Sequence, residues 1–284
     1  MTWHLTDDIE MFRKAAGGLL AADPARSSVL LTVSETARAG VWPEIRSGWW
    51  VCGGTVAGAF LQTPPFPPLL GPMPPEAARE LAGELRGISP TGVNGVNGES
   101  DAALAFGRAW GPYEVERAER LFGLAELTGP TSVAGRARIA AMADLPLLTA
   151  WLEAFSTEAG LSSGQHVGEL AARRIAAGQL VLWEAEAEGP VSLAATSAVL
   201  AGHARIGPVY TPPELRGHGY AAAATSAATR LAQGRGAGHV VLFTDLANPT
   251  SNALYQRLGY RRLRDHLSLT FTDRVPVGRR PERR

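Results

Sequence analysis

Residues 211–233 read TPPELRGHGYAAAATSAATRLAQ, and this stretch determines how the rest of the chain is interpreted. Two prolines, Arg216 and the spaced glycines Gly217 and Gly219 come directly before an alanine-rich run that predicts a helix over 219–233. A helix N-terminus presents unpaired N–H groups and the positive end of the helix dipole, which together bind anions. Glycines allow close approach to the backbone, so the pattern predicts a diphosphate site, although a glycine pair alone is more often only a tight turn.

Three kinds of phosphate loop begin in this way. A P-loop requires a Gly-Lys pair, and this segment contains no lysine. Residues 217–222 satisfy the dinucleotide pattern G-x-G-x-x-A, and Asp245 ends the next predicted strand, where a ribose-binding acid is expected. Against this second interpretation, residues 212–215 separate the preceding strand from Gly217, and the chain after Asp245 is too short for a doubly wound domain.

The composition indicates a packed globular protein, because 45% of the residues are hydrophobic and 19% are charged. The formal net charge is zero, so we expect no nucleic acid and no membrane as partner. Cys52 is the only cysteine, which excludes an intrachain disulfide and fits a reducing compartment. With no signal-peptide core and no apolar run of about 18 residues, we expect a cytoplasmic protein, and we expect no metal site.

The second half predicts an α/β arrangement around one mixed sheet. Helical spacing and breakers predict helices at 144–155, 168–178, 219–233 and 251–259. Strands are predicted by the runs at 179–202 (two strands), 204–211, 239–245 and 260–271. The predicted order is therefore ααβββαβαβ.

The first half resembles the second at an offset of roughly 135 residues, which predicts a worn internal repeat. Asp8 aligns with Asp144, and WWVCGGTVAGAFLQT around Trp50 aligns with LWEAEAEGPVSLAAT around Trp183. The first copy runs from PPE straight into its helix and lacks the RGHG segment. The Gly-, Thr- and Ser-rich residues 127–137 are the expected connection.

Residues 204–260 resemble the Gcn5-related N-acetyltransferase (GNAT) superfamily. RGHGYA at 216–221 matches the coenzyme A loop of that family, [QR]-x-x-G-x-[GA], and NPTSNALYQRLGY resembles its later Asn- and Tyr-containing segment. Two motifs in order with a strand between them favour this family over the dinucleotide interpretation. The resemblance implies two GNAT-like domains, each a mixed, mainly antiparallel sheet flanked by helices: a degenerate domain at 1–128 and a catalytic domain at 136–272, followed by a basic tail at 273–284.

The resemblance also implies where acetyl-CoA binds. The pantetheine arm is expected to pair with the backbone at Val209, Tyr210 and Thr211. The pyrophosphate is expected over the amides of Gly217, His218, Gly219, Tyr220, Ala221 and Ala222, with Arg216 nearby. Asn248 is expected to shape the turn, and Asn252 either contacts the coenzyme or only begins a helix.

The implied activity is transfer of an acetyl group from acetyl-CoA to a primary amine by direct attack in a ternary complex. Tyr255 takes the role of proton donor to the leaving sulfur. The acceptor is a small-molecule or protein amine, and the protein is expected to be a monomer or homodimer. Two alternatives stay open: a non-catalytic acyl-CoA-binding sensor or scaffold, and an NAD-binding enzyme.

The general base is not identified by the sequence. The strand HARIGPVYT contains no carboxylate, which leaves Glu184, Glu186 and His203 as weak candidates, while Asp245 is expected to cap the end of its strand. The polar segment 156–169 is expected to build the acceptor pocket.

Overall fold

The structure is a computed structural model that describes residues 1–88, 92–160, 166–186 and 188–272. The chain divides into two compact units: one comprises Met1–Glu119 and the chain from Asp265 onward, and the other comprises Arg120–Arg264. The expected basic tail and residues 161–165 of the expected acceptor segment lie outside the described residues. Among the described helices, none combines the length and apolar character needed to cross a membrane.

The two halves of the chain contain the same series of elements. The first half forms β1 (Thr2–Thr6), α1 (Ile9–Ala22), α2 (Ser28–Arg38), β2 (Arg46–Cys52), β3 (Thr55–Gln62), β4 (Leu69–Leu70), α3 (Pro75–Ile88), β5 (Gly95–Glu99), α4 (Ser100–Trp110) and β6 (Tyr113–Leu124). The second half forms β7 (Arg136–Ile139), α5 (Leu145–Glu158), α6 (Val167–Ala176), β8 (Leu180–Ala185), β9 (Gly189–Thr196), β10 (His203–Tyr210), α7 (Tyr220–Gly234), β11 (His239–Asp245), α8 (Pro249–Arg257) and β12 (Tyr260–Phe271). Both read βααβββαβαβ, which confirms the repeat.

The predicted order lacked the first strand of each half. β7 has the sequence RARI and is largely exposed, so it shows no alternation of apolar and polar residues. It is recognisable only through its antiparallel pairing with β8, from Arg136↔Glu184 to Ile139↔Val181. Short strands of this kind are specified by their neighbour rather than by their own side chains.

Each unit is built on a mixed, mainly antiparallel sheet, as predicted. In the second unit, β7, β8, β9 and β10 are antiparallel neighbours, and β10 and β11 are parallel. In the first unit, β1 to β4 are antiparallel neighbours and β4 and β5 are parallel. The dinucleotide alternative requires a doubly wound parallel sheet, and the antiparallel pairing of β9 with β10 is incompatible with it.

Helices cover both faces of the sheet in the second unit. On β8, Leu180 and Leu182 belong to the core with α5 and α6, whereas Val181 between them belongs to the core with α7 and α8. On β9, Ala194 likewise lies on the α7 and α8 face. Successive strand residues point to opposite faces, so a sheet covered on both sides reads as a continuous apolar run. This explains the unbroken LVL of β8.

The boundaries of the compact units differ from those expected at residues 128 and 272. Residues after β6 belong with the second unit because Ala125 and Thr128 donate backbone hydrogen bonds to the carbonyls of Gly259 and Leu258, at 3.1 and 3.0 Å. The end of β12 belongs with the first unit because His266–Thr270 pair with β5. The compact units are therefore divided within β6 and β12, whereas the repeated series of elements changes copy in the linker between β6 and β7.

Candidate functional site

Two neighbouring parallel strands separate in the second unit, at the end that leads into the glycine loop. β10 and β11 pair as far as Ile206 and Leu242. β10 continues to Tyr210 and β11 to Asp245, and among the described residues no pairing joins these ends. On its other edge β10 stays bonded to β9 as far as Tyr210. The edge of β10 at Val209 therefore presents backbone groups towards an opening between the strands.

The end of β10 is held in place from the side of β9. Ser192 Oγ donates to the carbonyl oxygen of Tyr210 at 3.0 Å and lies 2.8 Å from Thr211 Oγ1. Since the single Ser192 proton goes to the carbonyl, Thr211 donates to Ser192. The Tyr210 ring packs near Trp151 of α5, with 6.3 Å between the ring centroids. The side chains of Tyr210 and Thr211 thus already contact other residues. A ligand in the opening can therefore contact these two residues only through their backbone.

The glycine loop adopts the backbone that its sequence demands. Gly217 and Gly219 have φ angles of +85° and +83°, a region that other residues rarely enter. Gly219 is the residue that precedes α7, and Ala223 donates the first helical hydrogen bond back to its carbonyl oxygen at 3.1 Å. No side chain caps this helix end.

Consecutive amides at this loop have no acceptor within the described part of the protein. They belong to the six residues Gly217, His218, Gly219, Tyr220, Ala221 and Ala222. They are the amides that the sequence assigned to a pyrophosphate. Such a series of N–H groups at the positive end of a 15-residue helix is suited to a multiply charged anion. The residues present therefore fit the diphosphate of coenzyme A.

Arg216 lies beside the loop but is engaged with the protein. Its Nε donates to the carbonyl oxygen of Thr211 at 2.9 Å, and its Nη2 donates to Glu158 Oε2 at 2.6 Å. Its guanidinium carbon also lies 5.9 Å from the centre of the Tyr210 ring. Arg216 is therefore near the loop as predicted, but its charge is shared with a carboxylate that the sequence did not single out.

The two aromatic side chains of the loop stack on each other at the surface. The rings of His218 and Tyr220 are 5.5 Å apart and inclined by 17°. This leaves their amides, rather than their side chains, turned to the helix entrance. Side-chain changes at these two positions are expected to have little effect on an anion held by the backbone.

Tyr255 lies on α8, in the apolar core against which both separated strands, β10 and β11, pack. It is 8% exposed, and Ile206 of β10 and Leu242 of β11 belong to the same apolar cluster. Its ring lies 6.2 Å from that of Tyr260, edge to face, and its hydroxyl has no hydrogen-bond partner among the described residues. Burial raises the pKa of Tyr255 to about 12. The phenol is therefore protonated throughout the neutral range and has a free donor.

Asn248 and Asn252 organise the turn between β11 and α8. Asn248 Oδ1 accepts from the Ser251 amide at 3.0 Å and so caps α8, within the turn that the Asn-Pro sequence predicted. Asn252 Nδ2 donates to the carbonyl oxygens of Asp245 and Asn248 at 2.9 and 2.7 Å. Its Oδ1 is buried without a partner, which leaves one acceptor for a ligand donor.

Of the weak candidates for a general base, Glu184 and His203 are engaged in structural roles. Glu184 accepts from Arg138 Nε at 2.6 Å, and this hydrogen bond lowers the pKa of Glu184, which makes it a poorer base. His203 is buried at the opposite end of β10 from the loop, with Nδ1 2.5 Å from the carbonyl oxygen of Leu200. Asp245 caps its own turn, as expected, by accepting from the Ala247 amide at 2.7 Å. Glu186 is exposed.

The structure brings Glu158 to the site. It is the last residue of α5, and its carboxylate meets both Tyr210 at the end of β10 and Arg216 in the loop. These partners are 52 and 58 residues away in sequence, so no local pattern could reveal the contact. Elsewhere, the described residues contain no group of three or more His, Cys, Asp or Glu placed to hold a metal ion.

The equivalent helix entrance in the first unit has a different chemistry. Pro72, Pro74 and Pro75 follow β4 there, and proline has no amide hydrogen to donate. The amides of Ala77 and Ala78 are already bonded to the carbonyl oxygen of Pro74, at 3.1 and 3.3 Å. This entrance offers no continuous series of free amides.

Comparison with known families and structures identifies the second half. Residues 145–260 match the model of the acetyltransferase (GNAT) family. The matched segment contains the separated strands, the glycine loop and Tyr255. Comparison with curated proteins finds no match. The second half of the chain therefore contains a domain of the GNAT family.

Solved GNAT structures match nearly the whole chain. An acetyltransferase of the GNAT family from Colwellia psychrerythraea aligns with a TM-score of 0.61 at 12% identity, over 96% of this chain and 100% of that one. A GCN5-related N-acetyltransferase from Sphaerobacter thermophilus gives 0.58 at 16% identity, over 94% of each chain. A tandem GNAT protein from the clavulanic acid biosynthesis pathway gives 0.53 at 13% identity, over 95% of this chain and 98% of that one. These likenesses show that the fold is shared.

Proposed function

We propose that the protein transfers an acetyl group from acetyl-CoA to a primary amine through its second unit. The observation that carries the proposal is the separation of β10 from β11 directly beside a loop of free amides. The free edge of β10 can pair with an extended, amide-containing arm, and the free amides of the loop can bind a diphosphate. Coenzyme A contains both groups in sequence.

The backbone provides the binding contacts in this proposal. The pantetheine arm lies along the free edge of β10 at Val209, Tyr210 and Thr211, where its amides pair with the strand as a partner strand would. The diphosphate lies over the amides of residues 217–222. Charge-assisted hydrogen bonds of this kind are roughly twice as strong as neutral ones, so the loop fixes the coenzyme in one register.

Acyl transfer then requires an attacking amine and a leaving sulfur. The neutral amine forms a C–N bond to the thioester carbonyl carbon, the C–S bond breaks, and the amine proton passes to solvent or to a nearby base. A coenzyme thiol with pKa near ~8.5 leaves as a thiolate. Tyr255 donates a hydrogen bond to the sulfur as negative charge develops there. The burial that keeps Tyr255 protonated also opposes a full proton transfer, which would leave a buried phenolate.

The test is a coenzyme-release assay with acetyl-CoA and a panel of primary amines that includes small diamines, arylalkylamines and short peptides. The protein has one cysteine, Cys52, so thiol released beyond one per chain comes from the coenzyme. We expect amine-dependent release together with the acetylated amine by mass spectrometry. Tight binding of acetyl-CoA without release for any amine would favour the sensor or scaffold alternative, and absence of acetyl-CoA binding would refute the proposal.

A further inference from the structure

Glu158 places a carboxylate beside the end of β10 and the start of the glycine loop. Its Oε1 accepts a hydrogen bond from the Tyr210 hydroxyl at 3.1 Å, and its Oε2 accepts from Arg216 Nη2 at 2.6 Å. Tyr210 is the last residue of β10, and Arg216 directly precedes the free amides of the loop. The carboxylate is thus linked to both parts of the proposed coenzyme site.

The position of Glu158 favours a positive charge next to it. It ends α5, and the C-terminus of a helix carries the negative end of the helix dipole. The last turn of α5 contains no basic residue that would neutralise this end. The ring of Tyr210, whose hydroxyl bonds to Glu158, packs 6.3 Å from the ring of Trp151, and aromatic faces also attract cations.

The carboxylate retains capacity for a ligand. An ionised carboxylate has about four acceptor positions, and here two are used, by Tyr210 and Arg216. The side chain of Glu158 is 43% exposed, so a ligand can reach it. The phenol fixes the orientation of the carboxylate without neutralising its charge.

Coenzyme binding would change the ionic partner of Arg216. Its side chain is 48% exposed, and solvent screens an exposed ion pair, so this pair is weak. A diphosphate over the neighbouring amides carries more charge than one carboxylate and accepts in the bidentate manner that a guanidinium prefers. One guanidinium cannot serve both partners fully.

We propose that Glu158 binds the ammonium group of the acceptor, and that the coenzyme diphosphate draws Arg216 away from Glu158 and so frees it for that cation. This rests on the proposed function, and it defines the acceptor as an amine that arrives positively charged. The proton that the ammonium loses before attack passes to the Glu158 carboxylate, which leaves the neutral amine as nucleophile.

The experiment uses coenzyme A derivatives because they need no knowledge of the acceptor. S-aminoalkyl-coenzyme A compounds with two to six methylene groups carry an ammonium beyond the sulfur, and S-alkyl compounds of equal length are their neutral counterparts. Binding of each pair is measured by calorimetry to the wild type, to Glu158→Gln and to Glu153→Gln. Glu153 is the matched control, since it lies on the same helix, is exposed, and its side chain makes no hydrogen bond within the described residues.

We expect the wild type and Glu153→Gln to prefer the ammonium compound about twofold to fivefold at one chain length, and Glu158→Gln to lose that preference. Glu158→Gln should bind the neutral S-alkyl compounds at least as tightly as the wild type, because Arg216 no longer has a competing carboxylate. Equal preference in wild type and Glu158→Gln, no preference at any length, or weaker binding of the neutral compounds by Glu158→Gln would overturn the inference. Failure of every compound to bind the wild type would instead refute the proposed function, and the inference with it.

Discussion

Replacing Gly219 with alanine tests the glycine loop without introducing a large side chain. Gly219 has φ +83°, so any other residue there is strained. An added Cβ would also lie 2.9 Å from Val133 Cγ2, which must shift. The matched control is Gly236→Ala beyond the other end of α7, where φ is +92° and a Cβ would meet nothing within 4 Å. Both variants carry the same backbone strain, and only one of them lies at the proposed site.

The expected effects on stability and on binding are different in the two variants. The left-handed conformation costs a non-glycine residue about 1–2 kcal/mol, which corresponds to a fall in Tm of about 2–8 °C in both. At Gly219, relief of the strain rotates the peptide units that present the amides of the loop. Loss of one hydrogen bond to a charged group costs about 1.5–3 kcal/mol, so the Kd for coenzyme A should rise about tenfold to a hundredfold.

Calorimetry with coenzyme A and thermal unfolding separate the two effects. Gly219→Ala should lose both stability and affinity, whereas Gly236→Ala should lose stability alone. If Gly219→Ala binds coenzyme A as the wild type does, the diphosphate is not held by this loop. If Gly236→Ala loses as much affinity, the effect comes from general strain in α7.

Three further expectations concern catalysis, acid stability and stoichiometry. Tyr255→Phe should slow turnover roughly 10- to 1,000-fold while coenzyme A binds unchanged, and steady-state kinetics with unaltered kcat would remove the hydroxyl from the mechanism. A bidentate ion pair with Arg138 lowers the pKa of Asp144. The ion pair therefore stabilises the fold fully above the ordinary carboxyl pKa, and this stabilisation is lost as the pH falls through the lowered pKa. Asp144→Asn should therefore reduce the free energy of unfolding by about 1.5–3 kcal/mol at pH 7 and by progressively less as the pH falls through the lowered pKa, and a pH-independent loss in denaturant titrations would contradict this. Finally, equilibrium dialysis should find one coenzyme A per chain, because three prolines replace the amide series in the first unit; two per chain would show that this reasoning fails.

The site could be predicted from the sequence where its chemistry is local. Gly217 and Gly219 can adopt the positive φ angles that the loop requires, and the Asn-Pro pair at 248–249 favours a turn before a helix. The loop and the start of α8 therefore lie where the sequence predicted them. Tyr255 was singled out by its motif and stays a prediction, and its low exposure was not visible from the residues alone.

The contacts of Glu158 and Arg216 could not be predicted because they join residues far apart in the chain. The same limit applies to β5, whose sequence GVNGE resembles a loop. A Cβ at Gly95 would lie 2.3 Å from the carbonyl oxygen of Leu269, and a Cβ at Gly98 would lie 2.8 Å from Leu70 Cβ. These glycines are required by neighbouring strands that pass too close for a side chain, and they do not mark a turn.

The most direct test of the central claim is a thermal-shift titration with acetyl-CoA, coenzyme A and NAD in parallel. A ligand at 100 times its Kd stabilises the folded state by about 2.7 kcal/mol, which is a measurable rise in Tm. We expect stabilisation by the two coenzyme A species and none by NAD. Stabilisation by NAD alone, or by none of the three, would contradict the assignment of a coenzyme A diphosphate to residues 217–222.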